Sequence, residues 1–600
     1  MFQSFEATTR PEDGIARLTA MRAHLADGGL DGFLVPRADA HQGEYVAGCD
    51  ERLAWLTGFT GSAGFAAVLP EIAGVFVDGR YRVQVRAEVA DVFTPVPWPE
   101  TRLEDWLIEM CPGGGKIGFD PWLHTEAEIA RLGKALSPHQ ITLSPEANAV
   151  DAIWTDRPER PDGAARPYPE ALAGQSSAAK RAGLVEVMNA DGDAAVVLTL
   201  PDSINWLLNI RGQDLKRLPV LQSFAIVTAD GRVQVFCDPG KLDDIALDEA
   251  VCVADWQAFI PAMAALNGPV RIDPDSAPRA VFAAVEEAGL EVHRAQDPCL
   301  LPKARKSEAE IAGTTQAHLR DGVAVARFLH WFDAAASSGA LTEIDVAQKL
   351  EQFRVETGAL KDLSFDTIAG AGPNGAIVHY RVTEGTNAPL MPGQLFLIDS
   401  GAQYEDGTTD ITRTLPVGDV GAQERECFTL VLKGMIAIHR ARFPEGVAGA
   451  HLDALARAPL WATGRDYDHG TGHGVGVYLS VHEGPQRLSR AGRVPFEPGM
   501  ILSNEPGYYR EGAFGIRIEN LIHVVEAPEG ADAHRKMLAF ETLTFAPINR
   551  HLIEAALLGP DERDWLDGYH AAVRTKIGPR LLAEGHAETE TWLQKACAPI

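Results

Sequence analysis

The stretch LIDSGAQYEDGTTDITRT (residues 397–414) places Asp399 and Asp410 in consecutive strand-like runs. Asp399 ends the apolar run LFLID, and Asp410 lies in TTDITRT. A hairpin between these runs would bring both carboxylates to the same face of a sheet. An acid at a strand end is common when taken alone. The stretch therefore predicts an antiparallel pair of strands, and its chemistry depends on the neighbouring motifs.

Three later segments carry further metal-type side chains: His473 in HGTGHGVG, Glu505 in LSNEPGYY and Glu519 in GIRIEN. With the two aspartates they form four carboxylates and one imidazole, an oxygen-rich set that suits Mn²⁺ better than thiolate-binding ions. Four carboxylates repel one another unless cations lie between them. Two dications would neutralise them and hold a bridging hydroxide able to attack a carbonyl. Convergence of the five side chains predicts a two-metal hydrolase.

The local contexts of the two glutamates add detail. Arg517 and Glu519 alternate in GIRIEN, which predicts that both face one side of a single strand. Arg517 would then orient a carboxylate ligand, or it forms only a buried ion pair. Pro506 and Gly507 predict a turn that holds Glu505 at a strand end.

Histidines outside the five are candidates for contact with a substrate. His469 and His473 lie in a glycine-rich segment, which excludes a helical zinc motif and favours close backbone approach in a cleft. His379 in AIVHYRV and His482 in SVHEGP are further candidates. A lone histidine more often has a structural role, so only the joint occurrence of these motifs carries weight.

Composition restricts the partners and the compartment. The 600 residues carry a net charge of −29, which argues against nucleic-acid and membrane partners. Seven scattered cysteines without a C-x-x-C pair are typical of reduced intracellular thiols. The N-terminus lacks a signal-peptide pattern, and no stretch is apolar for the roughly 18 residues that span a bilayer. We expect a cytoplasmic protein.

Two breaks divide the chain into three segments. The first is the proline-rich stretch at residues 153–170, and the second precedes Ser307, which with Glu310 predicts a capping-box helix start. The first two segments look like weak copies, with Trp55 matching Trp206, and their alternating strands and helices predict α/β domains. The third predicts helices at 307–336, 342–358, 422–443 and 449–464, strand runs that include TIAGAGPNGAIVHYRV, an antiparallel sheet carrying the site, and a helical tail.

Further motifs run through the whole chain: DAHQGEYVAGCDERLAWLTGFTGSAG, DGRYRVQ, IWTDRPERP, NWLLNIRG, GPNGAIVHY, VHEGP, GAFGIRIEN and DERDWLDGYHAAVR. With the metal motifs they resemble the three-domain, cytosolic Xaa-Pro aminopeptidases (aminopeptidase P) among the pita-bread metallopeptidases. The resemblance implies α/β and α+β classes: two creatinase-N-like α/β domains, then a pita-bread α+β catalytic domain with a helical C-terminal extension. The implied boundaries are 1–155, 156–306, 307–550 and 551–600.

The resemblance also implies roles for the site residues. Two Mn²⁺ ions, with Zn²⁺ or Co²⁺ as substitutes, would be bound by Asp399, Asp410, His473, Glu505 and Glu519, with Asp410 and Glu519 bridging. Glu505 would accept a proton from the attacking water, and Arg517 would support the carboxylates. His379, His482 and His469 would contact the scissile bond or its tetrahedral intermediate. Arg80 in DGRY would reach the substrate, and a homodimer is implied.

The activity implied is removal of the N-terminal residue from peptides with proline in second position. One alternative is a prolidase, which cuts Xaa-Pro dipeptides with the same five ligands but usually has one N-terminal domain. Another is a non-catalytic pita-bread binding module, a class that has generally lost ligands. A creatinase-like hydrolase lacks the metal carboxylates and is disfavoured because they are present.

Overall fold

The computed structural model describes residues 1–528 and 534–600 in two compact units. One unit comprises Thr8–Lys303, and the other comprises Met1–Ala7 with Ala304–Ile600. All seven cysteines are free thiols. Over residues 1–528 and 534–600, no helix combines the length and the apolar composition needed to cross a bilayer.

The unit Thr8–Lys303 contains fourteen strands and most of the shorter helices. Its strands are β1 (Gly32–Pro36), β2 (Phe65–Val68), β3 (Ala73–Val77), β4 (Thr94–Pro97), β5 (Gly115–Phe119), β6 (Ile141–Pro145), β7 (Arg166–Pro167), β8 (Ala195–Leu198), β9 (Ile210–Arg211), β10 (Phe224–Thr228), β11 (Val233–Phe236), β12 (Val251–Ala254), β13 (Val270–Ile272) and β14 (Val292–Arg294). Its helices are α1 (Asp13–Asp27), α2 (Arg52–Thr57), α3 (Gln84–Glu88), α4 (Leu103–Met110), α5 (Glu126–Leu136), α6 (Ala149–Ile153), α7 (Glu170–Ala173), α8 (Ser177–Asp191), α9 (Pro201–Leu208), α10 (Phe259–Ala264), α11 (Arg279–Glu287) and α12 (Leu300–Ala304).

Two six-stranded mixed sheets in this unit have the same topology. Their strand orders are β4-β3-β2-β1-β5-β6 and β12-β11-β10-β8-β13-β14, each with an antiparallel centre and parallel flanks. The central strands are short apolar runs that are buried along most of their length, as expected for sheets covered by helices. Trp55 and Trp206 both lie in the helix after the first strand, α2 and α9. This correspondence confirms the internal similarity expected from the sequence.

The unit that ends at Ile600 contains the remaining elements. Its strands are β15 (Leu360–Leu363), β16 (Ile368–Ala371), β17 (Leu395–Ser400), β18 (Ala402–Tyr404), β19 (Gly407–Thr408), β20 (Ile411–Pro416), β21 (Phe443–Pro444), β22 (Gly472–Gly474), β23 (Glu483–Leu488), β24 (Ile501–Asn504), β25 (Gly507–Arg510), β26 (Phe514–Arg517), β27 (Asn520–Glu526) and β28 (Met537–Thr542). Its helices are α13 (Glu308–Ala335), α14 (Glu343–Val355), α15 (Ala422–His439), α16 (Gly449–Trp461), α17 (Pro560–Ala583) and α18 (Ala587–Ala596).

The helices of this unit begin and end close to the predicted positions. Ser307 caps α13, and its side chain and that of Glu310 form the reciprocal capping box. Helix α15 packs against β26 and α17 in one of the apolar cores of the unit. The six-stranded sheet β21-β28-β27-β24-β22-β23 is antiparallel throughout, as predicted.

One predicted strand is largely wrong. The run at residues 367–382 forms strand only over β16, and a 3-10 helix, Gly372–Ala376, follows. Gly372 has φ +50°, in the left-handed region, and Pro373 cannot donate to a strand partner. The Gly-Pro pair therefore ends the strand, and His379 lies in the turn beyond it.

Candidate metal centre

Strands β17 and β20 bring the two aspartates together. The strands pair antiparallel with Asp399 opposite Thr412, and Asp410 lies directly before β20. The chain between them forms the short strands β18 and β19 of a separate sheet. Both aspartates are buried. Carboxylate oxygens of Asp399, Asp410 and Glu519 lie within 4.8 Å of one another, so the predicted convergence of these three is confirmed.

Glu519 reaches this group from a break between strands, which corrects the prediction of one continuous strand. Strand β26 ends at Arg517 and β27 begins at Asn520. The N–H of Ile518 donates to the Pro506 carbonyl, in register with the β25-β26 pair, and the N–H of Glu519 donates to the Thr412 carbonyl of β20. Glu519 therefore lies where the chain passes from the β25-β26 pair to the six-stranded sheet, next to β20.

Thr412 and Arg517 hold the carboxylates of Glu519 and Asp399 through hydrogen bonds. The Thr412 hydroxyl donates to Glu519 Oε2 at 2.8 Å and accepts from Arg517 Nε at 3.1 Å. Arg517 Nη2 donates to Asp399 Oδ2 at 2.6 Å. All of these side chains are buried, so charge-assisted bonds of this kind hold each carboxylate in one orientation.

His473 and Glu505 complete the group from two other strands. His473 lies in β22, and Nε2 is 3.4 Å from Glu505 Oε1 and 3.6 Å from Asp410 Oδ2. Its Nδ1 donates to the Gly474 carbonyl at 2.9 Å, which leaves Nε2 as the atom that faces the carboxylates. Glu505 follows β24, and Ser503 Oγ donates to its Oε1 at 2.9 Å.

The glycine before His473 permits this approach. A Cβ atom at Gly472 would lie 1.9 Å from the Ser503 carbonyl oxygen, which no side chain tolerates. The backbones of β22 and β24 therefore pass in contact, as the glycine-rich sequence predicted. The contact brings His473 and Glu505 within reach of the same point.

Burial and mutual repulsion disfavour the ionised forms of these carboxylates. Burial, and then the charges of Asp399 and Glu505, raise the pKa of Asp410 well above its usual range. Burial, and then Asp410 and Glu505, raise the pKa of Glu519 in the same way. Burial raises the pKa of Glu505 to about 7. Bound cations would reverse these shifts because they favour the ionised carboxylates.

The side chains fit a pair of divalent cations. Asp399 Oδ1 and Glu519 Oε1 are buried acceptor atoms without a hydrogen-bond partner, although such atoms are normally paired. Ligand atoms group as Asp399, Asp410 and Glu519, and again as His473, Glu505 and Glu519, each within 4.8 Å. Glu519 belongs to both groups. Orphaned oxygens facing an oxygen-rich cluster are the arrangement that a hard dication satisfies.

Histidines around the cluster differ in how closely they approach it. The ring centroid of His482 is 4.2 Å from that of His473, and a ring nitrogen of His482 groups with Asp410 and His473 within 4.8 Å. His469 contacts Tyr509, with Nε2 2.9 Å from the hydroxyl. His379 is half-buried in its turn, and its contact with a substrate stays a prediction.

Arg80 lies in the unit Thr8–Lys303, in the segment after β3. Asp78 holds its guanidinium through Oδ1 and Oδ2, at 3.0 Å from Nε and 2.7 Å from Nη2, and the guanidinium lies over the Tyr81 ring. The side chain is a quarter exposed. Its predicted contact with the substrate stays a prediction.

Three residues that the sequence did not mark contribute to the site: Thr412, Ser503 and Tyr509. The Tyr509 hydroxyl accepts from Arg517 Nη1 at 2.6 Å, and burial raises the pKa of this phenol. Tyr509 thereby links Arg517 to His469. The run NEPGYY was visible, but it has two adjacent tyrosines and nothing in it distinguishes the one that faces the arginine.

Sequence comparisons cover nearly the whole chain. The profile of metallopeptidase family M24 matches residues 312–526, and that of the C-terminal region of this peptidase family matches residues 536–600. Two profiles of the creatinase/prolidase N-terminal domain match residues 17–153 and 156–310. The four matches follow one another along the chain.

Relatives of similar length agree with these profiles. The chain is 38% identical to aminopeptidase P2 of Arabidopsis thaliana, over 95% of this chain and 86% of the relative. It is 38% identical to a probable Xaa-Pro aminopeptidase P of Laccaria bicolor, over 99% and 96%. The crystal structure of an X-prolyl aminopeptidase from Caenorhabditis elegans, described as a cytosolic enzyme with a di-nuclear active site, matches with TM-score 0.92 and 33% identity, covering 98% of this chain and 100% of that one.

Proposed function

This chain belongs to the Xaa-Pro aminopeptidases of metallopeptidase family M24, and we propose that it removes the N-terminal residue from peptides that have proline in second position. The observation that carries the proposal is the convergence of four carboxylates and His473, with oxygens of Asp399 and Glu519 left unpaired in the interior. These side chains would hold two Mn²⁺ ions, with Zn²⁺ or Co²⁺ as substitutes.

When bound, the ions would lower the pKa of an attacking water and polarise the scissile carbonyl. We assign to Glu505 the acceptance of the proton from that water, because its carboxylate lies beside His473 within the group of ligand atoms. Ser503 donates to Glu505 Oε1 and accepts from the His473 N–H, which keeps the carboxylate in place.

His482 and His379 are the residues we assign to the scissile bond. An imidazole N–H can donate a hydrogen bond to the developing oxyanion, and a protonated imidazole can transfer its proton to the departing prolyl nitrogen. His482 lies against His473, at the edge of the carboxylate group, where such a contact is feasible. The Xaa-Pro bond is a tertiary amide, and its nitrogen, like that of any amide, must gain a proton before it can leave.

His469 is assigned to the substrate in one defined tautomer. Its Nδ1 lies 2.7 Å from the Gly470 carbonyl, which can only accept, so Nδ1 carries the proton. Its Nε2 lies 2.9 Å from the Tyr509 hydroxyl, which accepts a hydrogen bond from Arg517 Nη1. These contacts fix the orientation of the ring. We also assign Arg80 to contact with the substrate. We propose that the protein is a cytoplasmic homodimer.

Prolidase activity is the second candidate. Two successive domains of the creatinase/prolidase N-terminal type favour the aminopeptidase, since prolidases usually carry one. Release of the first residue from Xaa-Pro-Yaa tripeptides, compared with hydrolysis of Xaa-Pro dipeptides, separates the two activities.

Turnover of Arg-Pro-Pro with and without Mn²⁺ or a chelator tests the proposal. Asp410→Ala is expected to abolish turnover and to release metal, because its carboxylate belongs to two of the ligand groups. Asp406→Ala is the matched control: Asp406 follows β18 and binds Arg320 at 2.9 Å through both oxygens. Normal cleavage by the Asp410 variant, or chelator-resistant cleavage by the wild type, would refute the assignment.

A further inference from the structure

Helix α16 carries a buried ion pair that faces the loop of His469. Asp453 and Arg457 lie one turn apart, and each is 2% exposed. Arg457 Nε donates to Asp453 Oδ2 at 2.7 Å. A buried ion pair adds little net stability by itself, since desolvation offsets the attraction. The remaining atoms of the pair all bind the loop at residues 466–471.

Arg457 holds the middle of this loop through main-chain carbonyls. Nη1 donates to the Tyr467 carbonyl and Nη2 to the His469 carbonyl, each at 2.7 Å. Nη1 also donates to Asp466 Oδ1 at 2.8 Å, and the guanidinium carbon lies 3.9 Å from the centre of the Tyr467 ring. Only a planar guanidinium offers this many donors in one fixed fork.

Asp453 holds the far end of the loop. Thr471 Oγ1 lies 2.6 Å from Asp453 Oδ1 and donates to it. The Tyr467 hydroxyl, 2.5 Å from Thr471 Oγ1, must then be the donor in that contact. The Thr471 carbonyl accepts the N–H of Glu505 at 2.9 Å. The ion pair therefore reaches both His469 and the backbone of Glu505.

We propose that Asp453 and Arg457 are positioning residues that fix the loop 466–471 and thereby present His469 to the substrate. The inference rests on the proposed function, in which His469 contacts the peptide. The His469 carbonyl is bound by Arg457, and its ring is bound by Gly470 and Tyr509. Neighbouring residues therefore hold both the main-chain carbonyl and the ring of His469. Loss of the Arg457 contacts would release the carbonyl.

Arg457→Met and Thr471→Val test this clamp, the set of hydrogen bonds from Asp453 and Arg457 to the loop 466–471. The first removes every guanidinium contact, and the second removes only the hydroxyl that joins Tyr467 to Asp453, so it is the milder change if the methionine variant fails to fold. Arg271→Met is the matched control in the other unit, since Arg271 also binds aspartates and a main-chain carbonyl, that of Gln296. Arg457→Lys tests whether charge alone restores the function.

Hydrogen exchange of a peptide spanning 466–473 is the readout that does not need turnover. Both test variants are expected to exchange faster there, with unchanged metal content, while Arg271→Met shows wild-type exchange in this peptide. On Arg-Pro-Pro, kcat is expected to fall about 10- to 100-fold for Arg457→Met, with a smaller change in KM, because a misplacement near 1 Å costs this much. Arg457→Lys recovers only part of the loss.

A double-mutant cycle with His469→Ala decides whether the clamp acts through His469. In that background Arg457→Met is expected to cost less than about 3-fold in kcat, because the positioned group is gone. The inference would be overturned if the effects of Arg457→Met and His469→Ala on kcat were fully additive. It would also be overturned if both test variants showed wild-type hydrogen exchange in the loop 466–471. Absence of Xaa-Pro cleavage by the wild type would instead overturn the proposed function, and the exchange experiment would still judge the clamp.

Discussion

Thr412 offers a direct test of how the chain supports the metal centre. Its hydroxyl joins Arg517 Nε to Glu519 Oε2 in a fully buried position. Thr412→Val keeps the shape and removes both bonds. Glu519 then loses a donor, and Arg517 keeps an unpaired N–H in the interior.

The expected loss follows from those two bonds. Hydrogen bonds to charged groups contribute about 1.5–3 kcal/mol each, and removal of a partner behind a metal ligand typically lowers affinity about 10- to 100-fold. We therefore expect Mn²⁺ affinity to fall by that factor, equivalent to about 1.4–2.7 kcal/mol. The metal-free protein should also unfold at a lower temperature.

Competition between the protein and a chelator for Mn²⁺ measures the affinity. Thr429→Val is the matched control, because Thr429 is equally buried, donates to the Arg425 carbonyl at 2.8 Å and accepts from the Glu554 N–H at 2.8 Å. It should lose stability and keep its affinity. If Thr412→Val binds Mn²⁺ within about threefold of wild type, or no more weakly than the control, the support assigned to Thr412 is refuted.

Three further outcomes are expected. Gly472→Ala should prevent Mn²⁺ binding, because its Cβ would lie 1.9 Å from the Ser503 carbonyl oxygen, and a variant with wild-type metal content would contradict the packing. Arg517→Lys keeps the charge but not the fork that binds Asp399, so kcat should fall about 10-fold or more with the fold intact by circular dichroism; unchanged kcat contradicts this. Burial lowers the pKa of His570 to about 3, below its unfolded value near 6.5, so its neutral form stabilises the fold above pH 6.5 and that contribution is lost as pH falls. Between pH 7.5 and 5.5 the loss is about 1.4 kcal/mol, and the thermal unfolding of His570→Gln should depend less on pH over this range; an equal dependence contradicts the assignment.

Much of the site could be predicted because its residues are chemically distinctive. Asp399 was recognisable as an acid at the end of an apolar run, Asp410 and Glu519 were recognisable as acids within strand-like runs, and the convergence of the three is confirmed. The placement of Glu505 at the end of a strand and the absence of a helix around His473 were predicted correctly, whereas the turn expected at Pro506 and Gly507 is only a two-residue interruption between β24 and β25. The correctly predicted features are local, and proline and glycine largely determine them.

Other features depended on contacts between distant segments. The break after Arg517 lies where the chain passes from the β25-β26 pair to another sheet and the Glu519 N–H bonds to Thr412, and no pattern in GIRIEN indicates it. Thr412 and Arg457 are ordinary residues in a strand and a helix, and only their partners give them a role. The strand predicted over residues 372–382 is wrong, because the prediction gave more weight to the apolar residues of this run than to its Gly-Pro pair.

The wide spacing of the ligands has a consequence for biosynthesis. They lie in or beside strands of two sheets, β17 and β20 in one and β22, β24 and β27 in the other, and the last of them, Glu519, is made 120 residues after Asp399. Long-range contacts of this kind form slowly, and a metal site of this kind rarely exists before they form. A growing polypeptide would consequently acquire its ions only after the peptidase region has been synthesised and assembled, so metal uptake would report that this region has folded.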